Sequence, residues 1–443
     1  MEEKNSEKKE RKMRDSGIPW IGEVPEGWGV HPLYSYFMER KNKNSMLQEQ
    51  NLLSLSYGKI IRKDINTNGG LLPANFTTYN IVQPNDVVIR PTDLQNDKRS
   101  LRTGLVTEKG IITSAYISLQ PITDIYVKYF HYLLHSYDVN KVFYNMGNGV
   151  RQGLNYSEFS KLMLLCPEKE EQHRIADFLD SKCSEIDTLI ENLRARMESV
   201  KEYKKAVITE AVTKGLDKDV KMKDSGIEWI GEIPEKWKLV PFKYLLNERN
   251  EKNYPIKSDE RLSLSIDKGI TLYSEKTTNL DRFKDDVSQY KLAYCGDFVM
   301  NSMNMIVGAV GVSKYFGCVS PAYYVFFDDE PDNCYCKYCD YLFHTSTLKR
   351  TLFSLGKGIM AIDRGNGNVN TCRLKVSRYD LGALKLPIPP REELQSILSY
   401  LDSKCAEIDT LLQNYEDQIA TLEEYKKSLI YEYVTGKKEV PAA

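Results

Sequence analysis

The chain has 443 residues and a mass of 51.1 kDa, with 41% hydrophobic and 28% charged residues, which suits about two to four domains with real cores. Its formal net charge of −1 favours neither nucleic acid nor an anionic membrane as a partner, and no run approaches the ~18 apolar residues of a membrane-spanning helix. The nine cysteines lack framework spacing, and the charged first residues lack the apolar core of a signal peptide. We therefore expect reduced thiols and a cytoplasmic location.

Residues 1–14 are mostly charged and are predicted to form a flexible arm. A tryptophan-rich stretch follows, DSGIPWIGEVPEGW at residues 15–28. It returns 209 residues later as DSGIEWIGEIPEKW at residues 224–237, and eleven of the fourteen positions are identical. We call each stretch a tryptophan motif. Its glycines, proline and paired tryptophans predict a turn-rich lead-in whose indole rings pack against the following domain or a neighbouring helix.

The first domain is predicted to span residues 15–167 and to have a mixed α/β fold. Short apolar runs such as NLLSLS and DVVIRP are typical of strands, whereas YVKYFHYLLHSYDVNKVFYNM has helical spacing. Residues 29–166 hold 15 basic and 10 acidic side chains, a net charge of +5. This excess is compatible with DNA binding but does not establish it.

A long helix is predicted for residues 168–215, because residues 168–214 contain neither proline nor glycine. Pro167, Glu170 and Glu171 are start signals, and Gly215 is a stop signal. Apolar residues recur every seven positions, with further apolar residues at the intervening d-like positions Leu189 and Tyr203. The heptad positions are Leu179, Ile186, Leu193, Val200 and Val207.

The second copy comprises a linker and second domain at residues 216–389, a second helix at residues 390–436 and a tail at residues 437–443. The match KYFHYLLH to KYCDYLFH keeps the offset of 209, which becomes 222 after a 13-residue insertion around residues 361–373. Residues 238–389 carry a net charge of +4, whereas the two helices carry −2 and −6. The helices match in length and phase, including d-like Leu411 and Tyr425, so they are predicted to pair. The heptads do not reveal the direction of pairing.

The chain contains none of the usual catalytic signatures: no P-loop, no amino-methyltransferase motif, no H-E-x-x-H and no G-x-S-x-G. We expect no cofactor and no metal. Cys334, Cys336 and Cys339 could suggest zinc, but the first copy has apolar residues at the equivalent positions, which favours buried thiols. His135 and His344 recur within the helical match and are interpreted as packing residues. A duplicated chain of this kind indicates a recognition or scaffolding subunit.

These features resemble the specificity subunit of Type I restriction-modification systems. The paired tryptophan motifs carry the resemblance, together with PEKEEQHRIADFLDSKCSEIDTLI, PPREELQSILSYLDSKCAEIDTLL and the trailing EYKKxxIxExVT, over residues 15–436. The resemblance implies two target-recognition domains, each reading half of a bipartite asymmetric site in double-stranded DNA. It implies antiparallel helices that set the gap and bind two modification (adenine methyltransferase) subunits, with restriction/translocase subunits joining that core. It also implies that the subunit has no catalysis of its own.

Candidate DNA contacts are Lys, Arg, Asn and Gln side chains in loops near the predicted strands, because these groups contact phosphates and base edges. In the first domain they are Lys59, Arg62, Lys63, Arg90, Gln95, Lys98, Arg99, Arg102, Arg151 and Gln152. In the second domain they are Lys268, Asn301, Asn304, Lys357, Arg364, Asn366, Asn368 and Arg373.

Two alternatives stay open. The chain could be the specificity subunit of a related, Type IIB-like system, in which methylation and cleavage share one partner. It could also be a DNA-free coiled-coil scaffold, which the acidic helices favour slightly. Gel shifts with the methyltransferase partner present would separate DNA binding from scaffolding, and the identity of the co-purified partner would separate the two restriction systems.

Overall fold

The computed structural model describes residues 11–65, 75–92, 94, 101–144, 146, 153–266, 268–276, 286–359 and 373–441. The chain forms two compact units. The first unit combines Met1–Leu193 with Glu416–Ala443, and the second unit is Arg194–Tyr415. Each unit therefore contains one globular part and a portion of each long helix.

The first unit contains short strands, two shorter helices and the beginning of the first long helix. Its strands are β1 Met13–Asp15, β2 Glu23–Pro25, β3 Gly29–Pro32, β4 Phe37–Glu39, β5 Leu53–Ser56, β6 Lys59–Arg62, β7 Asn80–Val82, β8 Val87–Ile89, β9 Thr103–Leu105, β10 Gly110–Ile112, β11 Ile117–Pro121 and β12 Met163–Cys166. Its helices are α1 Val127–Val139, α2 Tyr156–Phe159 and α3 Lys169–Lys214, the last of which continues into the second unit.

The second unit repeats this order with additional elements. Its strands are β13 Met222–Asp224, β14 Glu232–Pro234, β15 Lys238–Pro241, β16 Asn247–Glu248, β17 Leu262–Ser265, β18 Gly269–Leu272, β19 Lys291–Ala293, β20 Phe298–Asn301, β21 Val310–Val312, β22 Gly317–Val319, β23 Tyr323–Phe327, β24 Lys357–Ile359, β25 Arg373–Lys375 and β26 Lys385–Ile388. Its helices are α4 Tyr273–Lys276, α5 Cys334–His344, α6 Ser346–Leu355, α7 Arg378–Ala383 and α8 Arg391–Val434, and α8 ends in the first unit.

A four-stranded antiparallel sheet lies at the centre of each unit, in the order β4-β11-β8-β9 and, equivalently, β16-β23-β20-β21. Val87 and Ile89 of β8 belong to the core that includes α1, whereas Val88 packs with Leu53 on the opposite face. Successive strand residues point to opposite faces, so an uninterrupted apolar run marks a strand that is covered on both sides. The predicted duplication of a mixed α/β domain is confirmed.

The long helices pair antiparallel within each unit. In the first unit, Lys426 of α8 forms an ion pair of 2.6 Å with Asp187 of α3. In the second unit, Lys204 of α3 forms an ion pair of 2.6 Å with Asp409 of α8. The early part of one helix therefore lies beside the late part of the other, as the family resemblance implied. Neither these helices nor any other helix in the described ranges is long and apolar enough to cross a membrane.

The d-like positions of the helices do not lie in the seam, so this part of the heptad prediction was wrong. The a-like residues Leu179, Ile186, Leu401 and Ile408 are buried. The d-like side chains are exposed to solvent because a single partner helix covers only part of a broad apolar face. Their exposed fractions are 52% for Leu189, 51% for Tyr203, 38% for Leu411 and 54% for Tyr425.

Each tryptophan motif forms a small hairpin that meets both long helices. The indole N–H of Trp28 donates to Glu171 at the start of α3 (3.0 Å), and that of Trp237 donates to Glu393 at the start of α8 (2.9 Å). Gly436 and Gly215, which follow the opposite helices, adopt φ of 70° and 80° against Trp28 and Trp237 respectively. A side chain at either glycine would meet the tryptophan motif, so the helix stop is also a packing requirement.

Candidate nucleic-acid interface

The hairpin β5–β6 carries the first group of predicted DNA contacts. Its two-residue turn, Tyr57-Gly58, has positive φ at both positions, 47° and 77°, as in a type I′ turn. Lys59 and Lys63 are exposed on this hairpin. Arg62 is exposed as well, but its Nε lies 2.6 Å and 2.8 Å from the two carboxylate oxygens of Glu108. This ion pair raises the pKa of Arg62, lowers that of Glu108 and neutralises much of the local charge.

The hairpin is seated firmly on the central sheet. A Cβ added to Gly104 of β9 would lie 2.6 Å from Leu55 Cδ1 and 2.9 Å from Ile60 Cδ1, so a larger residue at this position would require both side chains to move. A Cβ added to Gly58 at the tip would lie 3.1 Å from Leu101 Cδ1. The structure therefore brings the hairpin tip beside the end of the segment between β8 and β9, where the sequence places a second group of contacts.

Arg102 is not a surface residue, and its assignment as a DNA contact is corrected here. Its side chain is 0% exposed, and its Nε donates to the hydroxyl of Tyr144 (2.9 Å). Its Nη1 donates to the carbonyl oxygens of Thr92 (2.5 Å) and Arg90 (3.3 Å). The guanidinium is therefore hydrogen-bonded in the interior of the fold, where it joins Arg90 and Thr92 to the chain at residue 102.

Asp138 of α1 completes this buried network. One carboxylate oxygen accepts the Arg102 backbone N–H (2.5 Å), and the other accepts the Tyr144 hydroxyl (3.1 Å). Burial raises the pKa of Asp138, against the opposing effect of these hydrogen bonds. Arg90 is half-buried and its backbone bonds to Arg102. The remaining predicted contacts of the first domain lie outside the described residues: Gln95, Lys98, Arg99, Arg151 and Gln152.

The second unit repeats the arrangement with different residues. The hairpin β17–β18 presents exposed Lys268, whose backbone N–H donates to the Ser265 hydroxyl (3.2 Å). A Cβ on Gly311 of β21 would lie 3.4 Å from the Cα of Gly269, so this hairpin also sits on the central sheet. Asn304 is exposed in the adjacent segment between β20 and β21. The hairpin therefore contacts β21, the strand that follows this segment.

The other predicted contacts of the second domain have mixed positions. Asn301 is half-buried and its side-chain oxygen accepts the Met303 backbone N–H (3.1 Å), so it shapes the turn. Lys357 is exposed and forms an ion pair of 3.2 Å with Asp380. Arg373 lies in β25, and no position is described for its side chain. Arg364, Asn366 and Asn368 lie outside the described residues.

The cysteines of α5 are core residues. Cys334, Cys336 and Cys339 are buried, and burial raises the pKa of Cys334 and of Cys336 to about 12 and that of Cys339 well above its ordinary value. Thiolates, the form that binds metals, are thereby disfavoured. The described ranges hold no group of three or more His, Cys, Asp or Glu side chains arranged to bind a metal.

Sequence reasoning missed two residues at the hairpin tips. Tyr57 and Ile266 are 209 positions apart, are 89% and 48% exposed, and lie beside Lys59 and Lys268 respectively. The tyrosine-glycine pair between two apolar strands is a hairpin signal that could have placed Tyr57 at a turn. Its exposure followed from no local pattern, since tyrosine is equally common in cores.

Comparisons with known proteins give a consistent picture. Residues 101–199 match the family model of the type I restriction modification DNA specificity domain. The chain is 24% identical over 330 residues to the MjaX type I restriction enzyme specificity subunit of Methanocaldococcus jannaschii, covering 70% of this chain and 68% of that protein. It is 23% identical over 353 residues to the MjaVIII type I restriction enzyme specificity subunit of the same organism, covering 75% of each.

A solved structure shares the fold. It is described by the words "Structural basis underlying complex assembly and conformational transition of the type I R-M system", and it matches with a TM-score of 0.65 over 94% of this chain and 99% of that chain. The sequence identity is 13%, so this match speaks for the fold alone. The matched specificity domain and the named relatives show that the chain is similar to the specificity subunits of type I restriction-modification systems.

Proposed function

We propose that each globular part reads one half of a bipartite, asymmetric site in double-stranded DNA. The observation that carries the proposal is the recurrence, in both units, of an exposed lysine-bearing hairpin packed on the strand that follows the central strand, β9 or β21. Residues 29–166 and 238–389 have net charges of +5 and +4, whereas the long helices are acidic. Attraction to phosphates therefore belongs to the globular parts.

The exposed side chains suit different tasks on DNA. Lys59, Lys63 and Lys268 have the charge and reach for phosphate contacts, which fix position without reading sequence. Asn304 has the amide that pairs with an adenine edge in the major groove. The two halves carry different residues at equivalent places, so they would read different half-sites. The predicted residues outside the described ranges are part of the same proposal.

The helices would set the gap between half-sites and bind two methyltransferase subunits. Leu189 and Tyr425 are exposed near the Asp187–Lys426 ion pair in the first unit, and Tyr203 and Leu411 near the equivalent pair in the second. Two equivalent apolar patches suit two copies of one partner. The chain would have no catalysis of its own, would act in the cytoplasm, and would be joined by restriction/translocase subunits.

A library of randomised duplexes, selected with the subunit bound to its methyltransferase partner, tests the proposal. We expect a bipartite motif with a fixed gap, and binding whose logarithm falls linearly with the logarithm of salt concentration. Lys59→Gln and Lys268→Gln should each reduce that slope by about 1, while Lys161→Gln, another exposed lysine, should not.

Selection of no sequence would support the scaffold alternative, and a contiguous motif would contradict two-part reading. The partner that co-purifies distinguishes the two systems. A separate methyltransferase subunit supports Type I, and a fused methyltransferase-nuclease supports the Type IIB-like alternative.

A further inference from the structure

The hairpin turn requires a left-handed backbone at residue 57 but does not require a tyrosine there. Its φ of 47° is in the left-handed region, which Gly, Asn and Asp adopt far more readily than a bulky aromatic residue. Its side chain is 89% exposed, so the ring contributes little to the core. Strained, exposed residues held by a rigid surrounding are often functional.

The second unit has an apolar residue at the same place. Ile266 occupies the first turn position of the equivalent hairpin and is 48% exposed, although that turn has three residues and not two. A lysine lies two positions after each tip residue: Lys59 is the first residue of β6, and Lys268 is the last residue of the second turn. Turns favour polar residues, so the recurrence of an exposed apolar tip beside a positive charge is a second, independent observation.

Both tips stand on rigid supports. Leu55 and Ile60 of the first hairpin fit against Gly104, and Leu262, Leu264 and Ile270 of the second are buried against the central sheet. A side chain can separate two stacked bases only if its backbone does not move away from the DNA. The hairpin that carries it must therefore be held in place by packing. The lysines beside the tips have the charge that phosphates flanking a base step would attract.

We propose that Tyr57 and Ile266 are wedge residues that insert at, and partly unstack, one base step in each half-site. The inference rests on the proposed DNA-reading function and deepens it. Apolar wedges beside basic side chains are a known means of deforming duplex DNA, and flexible pyrimidine–purine steps yield most easily. Each tip would therefore select for a deformable step, in addition to the base-edge contacts of neighbouring residues.

The decisive variant is Tyr57→Asn, because it separates stability from binding. Asn suits the left-handed turn better than Tyr, so the variant should be at least as stable as the parent protein. Loss of ring stacking should nevertheless weaken binding about ten- to hundredfold. Tyr57→Phe keeps the ring and should bind normally, and Met46→Asn, which changes an equally exposed apolar residue, serves as the control.

The measurement uses the subunit with its methyltransferase partner and the duplex that the parent protein selects from a random library. Single 2-aminopurine substitutions along each half-site should show a rise in fluorescence at one step, lost with Tyr57→Asn in the first half-site and with Ile266→Asn in the other. If the parent protein selects no duplex, the DNA-reading function itself fails. If it selects one and Tyr57→Asn binds that duplex with unchanged affinity and fluorescence, the wedge fails. Loss of the methyltransferase subunit from Tyr57→Asn would instead make the tip a protein contact and overturn the inference.

Discussion

Arg102 and Lys59 carry the same charge but lie in opposite environments. Arg102 is fully buried with Asp138 and Tyr144, which are 36 and 42 residues away along the chain, whereas Lys59 is exposed at a hairpin tip. The sequence predicted that both lie near the same surface but could not predict which one faces solvent. Whether a charged side chain is buried depends on the partners that the fold brings beside it, and no local sequence pattern indicates those partners.

Replacement of Arg102 by Met should therefore destabilise the first unit rather than act on DNA directly. The change would leave the buried Tyr144 hydroxyl and the Thr92 carbonyl oxygen without their guanidinium donor, and each buried polar group left unsatisfied costs about 1–3 kcal/mol. Urea unfolding measures the effect. Lys59→Met, the exposed control, should stay within about 0.5 kcal/mol of the parent protein. Equal stabilities for the two variants would contradict the structural role of Arg102.

Two histidines of α1 predict a pH dependence for the first unit. Burial lowers the pKa of His131 to about 3, with a further contribution from His135, and that of His135 to about 4, with a contribution from Lys426. Ordinary histidines in the unfolded chain have a pKa of about 6.5. At a pH between the lowered values and 6.5, the unfolded chain therefore binds more protons than the folded chain. Stability should be full above pH 6.5 and should fall on acidification, by at most about 1.4 kcal/mol per pH unit for each histidine.

The second unit supplies the control, because Asp340 occupies the place of His131. Burial lowers the pKa of His344, but the hydrogen bond and charge of Asp340 outweigh it and raise the pKa overall. His131→Asp should therefore reproduce this arrangement and reduce the acid sensitivity of the first unit. Unfolding curves at pH 7.5 and pH 5 provide the comparison. Unchanged acid sensitivity in His131→Asp would show that other groups control the transition.

At the scale of elements, periodicity predicted the long helices well. The expected ranges 168–215 and 390–436 correspond to Lys169–Lys214 and Arg391–Val434, because start and stop signals are local. The antiparallel direction and the exposure of Leu189 and Tyr425 did not follow from the heptads. A heptad records which side chains share a face, but the fraction of that face that becomes covered depends on the number of partner helices.

The exposed d-like residues allow the proposed contact between the helices and the methyltransferase subunits to be tested. Leu189→Ser with Tyr425→Ser should remove one methyltransferase subunit, and Tyr203→Ser with Leu411→Ser the other, because each pair forms one of the two equivalent patches. Native mass spectrometry should show one bound subunit in place of two. Stability should change little, since these side chains are already about half exposed in the isolated chain.

Glu191→Ser and Glu424→Ser are matched controls, because both residues are exposed, polar and near the first patch. They should retain both partner subunits. Full occupancy in all the variants would place the methyltransferase contact elsewhere.

For the whole molecule, the sequence repeat and the compact units differ. Each tryptophan motif contacts the start of one long helix and the end of the other, so each unit requires residues from both copies. The repeat was visible in the sequence because related copies keep their motifs. The contribution of both copies to each unit was not visible in the sequence, since it depends on the antiparallel pairing of elements more than 200 residues apart.

The pairing allows the proposed spacer function to be tested without disturbing either globular part. The test removes Asn192–Ala195 from α3 and Gln418–Thr421 from α8. The first deletion begins five positions after Asp187, and the second ends five positions before Lys426, so both interhelical ion pairs can re-form. Four helical residues span about 6 Å, or roughly two base pairs of duplex. Selection from a library of randomised duplexes should yield the same half-sites with a gap shorter by about two base pairs. Substitution by Ala of the six of these eight residues that are not already Ala preserves length and should leave the gap unchanged. A changed half-site with an unchanged gap would assign sequence reading to the helices and exclude their role as the spacer.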